Sequence, residues 1–301
     1  MLFAFCWVRV FIVSRLQVGQ FAAIVEQVWD QFEAFSPVPF EQLISYTGRI
    51  AFAYNEPIVV FGMSIFAIAR GSDSVSGELS RGTMEMLLAQ PISRLQALFT
   101  QALVTVAGLA LLAGLTWAGT TVGIYTIEVT EDAPPPMLKV PLLGIHIPLP
   151  TGKPEKIQVP MHERTKPHYF AAGAFNLLCL GIALAGFSTL VSALDRYRWR
   201  TIGIVVAAYV VQLVLKILGQ AIDEVAWMQR LSLFTAYEPQ KFISIAAHHP
   251  HDAWATAIYD SHGAFLELGP LGYNLILLGF GLATYIASGI IFYRRDLPAP
   301  L

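Results

Sequence analysis

Five apolar runs, each long enough to cross a lipid bilayer, constrain this chain more than any other feature. A transmembrane helix needs about 20 mainly apolar residues to cross about 30 Å of hydrocarbon. The runs cover residues 50–70, 95–124, 169–194, 201–222 and 270–293. Only 13% of the 301 residues are charged, whereas soluble domains have about 25%. The chain lacks the charge to cover a globule in water, so the sequence predicts an all-α integral membrane protein.

The N-terminal residues 1–13 form a sixth, shorter apolar run. It would span only about 20 Å as a helix, and Arg9 interrupts it. Either this helix is short and tilted, or the chain begins inside a longer first helix; we expect the second. The sequence therefore predicts about six transmembrane helices in one domain that covers residues 1–301.

The distribution of basic residues predicts the orientation of these spans. The long connections (16–55, 126–168 and 222–268) carry a lower density of basic residues than the short connections. The arginines of the short connections are Arg70, Arg81, Arg94, Arg196, Arg198, Arg200, Arg294 and Arg295. Short basic loops remain on the cytoplasmic side. We therefore expect a protein of the cell membrane with both termini in the cytoplasm and three long external loops.

Two of the long loops have a recognisable local pattern. Residues 16–35 place acidic and apolar side chains on opposite faces, which is typical of an amphipathic helix at a membrane interface. The middle loop contains Pro134, Pro135 and Pro136 and further prolines up to Pro167. Proline removes a backbone donor and disfavours helix, so this loop is predicted to be extended or strand-like.

The polar segment 71–94 lies between two spans and is too short to form a domain. Ser80 is placed to cap a short amphipathic helix over residues 81–89, and Pro91 ends that helix. Ser93 can cap the next span. The sequence thus predicts a short cytoplasmic helix joined to two transmembrane helices. A short helix of this kind is also common in intracellular loops that have no special function.

The residues of this segment resemble the conserved intracellular segment of ABC-2 type permeases, the membrane subunits of ABC exporters. The matching positions are Gly77, Glu78, Arg81, Gly82, Thr83, Glu85, Leu87, Leu88, Pro91, Ser93 and Arg94. The resemblance implies that these residues form a coupling helix, which docks on a separate ABC ATPase subunit. The pattern is shared by exporters of different substrates, so it does not identify the substrate.

The sequence contains no nucleotide-binding motif of its own. The only Gly-Lys pair, Gly152-Lys153, is followed by Pro154 and lacks the phosphate-binding pattern Gly-x-x-x-x-Gly-Lys-Ser/Thr. We therefore expect no enzyme activity and no cofactor in this chain. One chain has one coupling helix and a paired ATPase needs two, so we expect a homodimer or a pair with a similar permease. The net charge of −2 does not indicate nucleic acid, and none is expected as a partner.

Three polar residues share one face of the fourth long run, 201–222: Gln212, Lys216 and Gln220 are spaced i, i+4, i+8. An ionisable residue inside a span suggests a functional site, so this face is a candidate lining of the translocation path. The alternative is that Lys216 lies near the outer interface, where lysine extends its ammonium to the headgroups.

A histidine cluster in the last long loop suggests an alternative function. Imidazoles of His248, His249 and His251 could bind zinc or copper, which would indicate a membrane-embedded metal-dependent enzyme. Their spacing matches no established metal motif, and we expect no metal. A third alternative is a membrane anchor for an ATPase without transport activity. Cys6 and Cys179 both lie in apolar stretches and are predicted to be buried thiols, neither a disulfide nor a metal pair.

Overall fold

The computed structural model describes residues 1–16, 18–132, 137–140, 145–148, 156–260 and 264–295. The described helices are α1 (Leu2–Arg15), α2 (Val18–Phe32), α3 (Phe40–Ile44), α4 (Tyr46–Ala51), α5 (Pro57–Ser72), α6 (Glu78–Arg81), α7 (Thr83–Leu88), α8 (Arg94–Thr126), α9 (Met161–Arg164), α10 (Phe170–Leu194), α11 (Arg198–Ala221), α12 (Pro239–His248) and α13 (Pro270–Arg294).

Five helical stretches among the described residues are long and apolar enough to cross a membrane. They are Tyr46–Arg81, Arg94–Thr126, Pro167–Leu194, Arg198–Ala221 and Pro270–Arg294. Each corresponds to one of the five runs predicted from the sequence, to within one residue at the end of the run 201–222, and α1 adds the short sixth helix. The chain is therefore an all-α integral membrane protein with about six spans, as predicted.

The central helix of the bundle is α10, and α11 lies at its edge. In the most apolar stretch of α10, 72% of the residues are buried, compared with 11% of the residues in that of α11. Small residues let neighbouring helices approach α10 closely. A Cβ atom on Gly186 would lie 2.5 Å from the carbonyl oxygen of Gly281 in α13, and one on Gly71 of α5 would lie 2.6 Å from Ser188 Cβ. Helix packing thus fixes glycine at these positions.

The short helix α1 packs along α8. A Cβ atom on Gly119 would lie 2.3 Å from the carbonyl oxygen of Phe3. Arg9, which seemed to interrupt this run, forms an ion pair of 3.1 Å with Glu56 at the start of α5. Glu56 makes no capping bond to α5. The charge of Arg9 is therefore neutralised within the protein.

The middle long loop forms antiparallel strands, as its prolines predict. Strand β1 (Glu128–Asp132) pairs with β4 (Lys156–Pro160), and β2 (Met137–Val140) pairs with β3 (Ile145–Pro148). The Pro134–Pro136 run lies outside the described residues. A third hairpin in the last long loop pairs β5 (Ala257–Tyr259) with β6 (Phe265–Leu268).

The last long loop enters the bundle before it returns to the surface. It forms two 3₁₀ helices, Asp223–Leu231 and Leu233–Ala236, and then α12. Phe234 and Tyr237 are buried in the main apolar cluster with residues of α5 and α10. The hydroxyl of Tyr237 donates to the carbonyl oxygen of Tyr54 at 2.6 Å, and burial raises the pKa of Tyr237 well above its usual range. The phenol therefore remains a neutral hydrogen-bond donor.

Candidate functional site

The coupling segment 71–94 differs from the single helix predicted over residues 81–89. Helix α5 continues into a π-helical turn, Asp73–Gly77, which is followed by α6. Gly82 then adopts a left-handed conformation (φ 73°) and separates α6 from α7. Ser80 does not cap a helix; it lies inside α6, and its hydroxyl donates to the carbonyl oxygen of Gly77 at 2.9 Å. The prediction of a cap at Ser80 is wrong because α6 starts before it.

The predicted cap at Ser93 is confirmed. Its hydroxyl accepts a hydrogen bond from the backbone N–H of Gln96 at 3.2 Å, and the Gln96 side chain accepts one from Ser93 N–H at 2.8 Å. This reciprocal pair is a capping box, which satisfies two donors at the start of α8.

A cluster of buried hydroxyls joins the π turn to α10 and α11. Ser192 of α10 accepts hydrogen bonds from the backbone N–H groups of Val75 at 3.2 Å and Ser76 at 2.8 Å. It also donates to the carbonyl oxygen of Ser72 at 3.0 Å. The hydroxyl of Ser76 lies 3.1 Å from that of Thr201 in α11. Ser72, Ser76, Ser192 and Thr201 are all fully buried, so the start of the coupling segment is fixed to two other helices.

A chain of ion pairs fixes the next part of the segment. Asp73 Oδ1 lies 2.7 Å from Arg81 Nη1 and 3.3 Å from Arg198 Nη1 of α11. The second guanidinium nitrogen of Arg81 lies 2.8 Å from Glu78, and Glu78 accepts a further hydrogen bond from the Thr83 hydroxyl. Glu78 and Arg81 therefore hold the segment together, in addition to any contact with a partner.

The coupling segment also has an exposed surface. Met86 of α7 is 74% exposed, whereas Met84 is 3% exposed and packs against α8 and α13. Gly82, Pro91 and the rest of residues 89–93 are exposed, and Gly77 is buried. Of the predicted docking residues Glu85, Leu87 and Leu88, the structure describes the backbone within α7 and not the side chains.

Arg94 has a structural contact at the end of α8. Its guanidinium donates to the carbonyl oxygen of Arg295 at 2.6 Å. Arg295 in turn donates to the carbonyl oxygens of Ala193 at 2.7 Å and Asp195 at 3.1 Å. The ends of α8, α10 and α13 are thus joined beside the coupling segment.

The polar face of α11 contacts the loop that enters the bundle. The Lys216 ammonium lies 2.5 Å from Glu238 Oε1 and donates to the carbonyl oxygens of Phe234 at 3.0 Å and Tyr237 at 3.3 Å. Gln212 accepts a hydrogen bond from Leu233 N–H at 2.7 Å. Gln220 is half-buried. Lys216 therefore binds protein groups and does not extend to headgroups; that this face lines a translocation path stays a prediction.

A pair of buried amides continues this network. Asn176 of α10 donates to Asn274 Oδ1 of α13 at 2.7 Å and to the carbonyl oxygen of Ala236 at 3.0 Å. It also accepts a hydrogen bond from Glu238 N–H at 3.0 Å. Neither residue was predicted from the sequence, although a single asparagine in each of two otherwise apolar spans is a usable signal.

The described histidines of the last long loop do not form a metal-binding cluster. No group of three His, Cys, Asp or Glu residues there could hold a metal ion. His248 Nδ1 lies 2.9 Å from the carbonyl oxygen of Ser244, and His249 lines a surface hollow with Asp252. Cys6 and Cys179 are both buried and free.

Comparison with known proteins gives one family. Residues 5–146 match the model of a family described as ABC-2 family transporter protein. The comparison with curated proteins finds no match. The matched residues include most of α1, the coupling segment and α8, so the match confirms the resemblance carried by residues 77–94. Residues 5–146, just under half of the chain, are therefore similar to ABC-2 family transporter proteins, and the helices described above make the chain a multi-pass membrane protein.

Proposed function

We propose that this chain is the permease subunit of an ABC exporter, powered by ATP hydrolysis in a separate ABC ATPase subunit. The observation that carries the proposal is the rigid attachment of the coupling segment to the bundle. A partner that moves this segment would act on α10 through Ser192 and on α11 through Thr201 and Arg198. Hydrogen-bonded and ion-paired elements transmit such a displacement because packed helices move as rigid bodies. The permease itself has no role in hydrolysis.

The exposed part of the coupling segment supplies the docking surface in this proposal. Met86 presents an apolar side chain that is 74% exposed, and Arg81, five residues earlier in the same segment, is 42% exposed at its side chain. An apolar anchor with a charged neighbour suits a groove on a partner protein. Glu78 contributes by holding Arg81 in place, so a charge reversal at either residue would also disrupt the segment.

The docking test replaces Met86 with glutamate and measures co-purification with a candidate ABC ATPase subunit. We expect Met86→Glu to abolish co-purification without lowering the amount of protein in the membrane, because a carboxylate in an apolar contact loses its hydration. The control is Leu231→Glu, since Leu231 is also exposed (58%) and follows the opposite end of α11. Equal ATPase recovery with wild type and Met86→Glu would contradict the assignment.

The proposal includes an orientation with both termini in the cytoplasm of a cell-membrane protein. Reporter fusions at Gln90 and Tyr197 should then read cytoplasmic, and fusions at Lys153 and His249 should read external. The basic side chains near the coupling segment support this orientation. A cytoplasmic reading at Lys153 would place the coupling segment on the external side of the membrane, where an ATPase has no ATP.

The proposal also includes pairing of two permeases, because an ATPase pair offers two docking grooves. The outer face of α11 carries exposed Ile204, Val211 and Leu218, which can pack against lipid or a second permease. Native mass spectrometry of the purified complex should show two permease chains per two ATPase chains. Substrate-stimulated ATP hydrolysis in that complex distinguishes an exporter from an ATPase anchor, which would show none with any substrate tested.

A further inference from the structure

A cavity of about 550 Å³ lies between the amphipathic helix α2 and the end of the bundle opposite the coupling segment. Such a volume is typical of a small-molecule site. Most of its wall is aromatic or aliphatic, and the residues include Phe21, Val25, Trp29, Phe35, Leu43 and Phe52. The cavity could therefore hold the apolar part of a ligand.

The polar groups in this cavity that lack partners are all hydrogen-bond donors. Arg49 Nη1, Arg9 Nε and Gln240 Nε2 are buried without a hydrogen-bond partner among the described residues, and all three residues line the cavity. Arg49 is 2% exposed and Gln240 is 1% exposed. Buried donors in native proteins are nearly always satisfied, and acceptors of a bound molecule in the cavity would satisfy these three.

The charge in the cavity indicates that the bound molecule is anionic. Arg49 Nη2 donates to the carbonyl oxygens of Val13 at 2.9 Å and Leu16 at 2.8 Å, and its guanidinium stacks on Phe21 at 4.9 Å. No carboxylate within the described side chains forms an ion pair with it, whereas Arg9 is paired with Glu56. A buried cation without a counter-ion is strongly unfavourable, and an anion beside Arg49 would correct this.

We propose that this cavity binds an anionic amphiphile whose carboxylate or phosphate accepts from Arg49, Arg9 and Gln240. Its acyl chain would lie along the aromatic wall formed with α2, which has the composition of a helix at a membrane interface. A phospholipid and a free fatty acid share this chemistry. The inference is independent of the proposed ATPase coupling, because it uses no residue of the coupling segment.

Trp29 in the cavity wall provides the measurement. Full-length protein in lipid nanodiscs is titrated with brominated phosphatidylglycerol, brominated phosphatidylcholine or a brominated fatty acid, since bromine quenches nearby tryptophan. Trp29→Phe isolates the Trp29 contribution. We expect the two anionic compounds to quench this contribution at about tenfold lower concentration than phosphatidylcholine, because the choline cation of phosphatidylcholine offsets its phosphate charge and is repelled by Arg49. Displacement of the phospholipid by unbrominated fatty acid would identify the free acid as the ligand, and its retention would identify the lipid.

Matched variants test the role of Arg49. Arg49→Gln should remove the tenfold preference, whereas Arg15→Gln, which removes an equal charge from an exposed position outside the cavity, should preserve it. Val25→Phe keeps Arg49 and narrows the cavity, so it should weaken quenching even if Arg49→Gln fails to fold. Equal quenching by anionic and zwitterionic lipids, or full quenching in Val25→Phe, would overturn the proposal.

Discussion

Replacing Ser192 with alanine should separate the coupling segment from α10. The substitution removes one hydroxyl that accepts from Val75 N–H and Ser76 N–H and donates to the Ser72 carbonyl oxygen. The site is fully buried, so water does not replace the lost acceptor. Two backbone donors without an acceptor would cost about 1–3 kcal/mol each. Polar contacts between membrane helices are weaker, about 0.6 kcal/mol on average, and the turn can adjust, so we expect about 2 kcal/mol.

The matched control is Ser188→Ala, one turn earlier on the same helix. Ser188 is also fully buried, but its hydroxyl makes one bond, to the carbonyl oxygen of Ile68 at 3.1 Å. That carbonyl lies inside α5 and can keep its helical partner. The same change of side chain should therefore cost about 1 kcal/mol or less.

Hydrogen exchange of residues 73–81 in the purified protein measures the difference. A local cost of about 2 kcal/mol corresponds to roughly 30-fold faster exchange. Ser192→Ala should show this increase in the coupling segment, and Ser188→Ala should change exchange less than about fivefold. Equal exchange in the two variants would refute the assignment of Ser192 as the joint.

The other predictions concern a turn and a buried ion pair. Gly82→Ala should destabilise the coupling segment by about 1 kcal/mol, because only glycine adopts φ 73° without strain. Hydrogen exchange in α6 and α7 should therefore become faster. The control Gly114→Ala, which has open space around its Cβ, should not change exchange there. Lys216→Leu should lower stability by about 1–3 kcal/mol because Glu238 stays partly buried and unpaired. Glu238→Leu added to it should cost less than the sum of the two single changes, as measured by thermal unfolding in detergent; additive effects would indicate that the pair contributes nothing.

The sequence predicted those elements whose signal is local. A helix needs about 20 apolar residues to cross the bilayer, so the five long helices could be predicted from runs of that length. The cap at Ser93 could be predicted because a serine stands directly before the apolar run of the next span. The strands of the middle loop followed from prolines that forbid helix.

The parts that could not be predicted depend on contacts between distant residues. Arg81 meets Asp73 eight residues earlier, outside the i+3 and i+4 spacings by which helical pairs are recognised. The break at Gly82 was missed because one glycine costs a helix only about 1 kcal/mol, which does not decide its end. Asn176 and Asn274 are 98 residues apart, and no periodicity connects them.

The π turn at Asp73–Gly77 explains why the coupling segment and α10 must be considered together. A π turn shifts the helical hydrogen-bond pattern, and such turns often mark functional positions. Here the backbone donors of Val75 and Ser76 are directed out of their own helix, to Ser192. A turn that takes its acceptor from another helix is stable only while that helix is in contact. The geometry of the docking segment and the position of α10 are therefore linked, and a change in one carries a free-energy cost in the other.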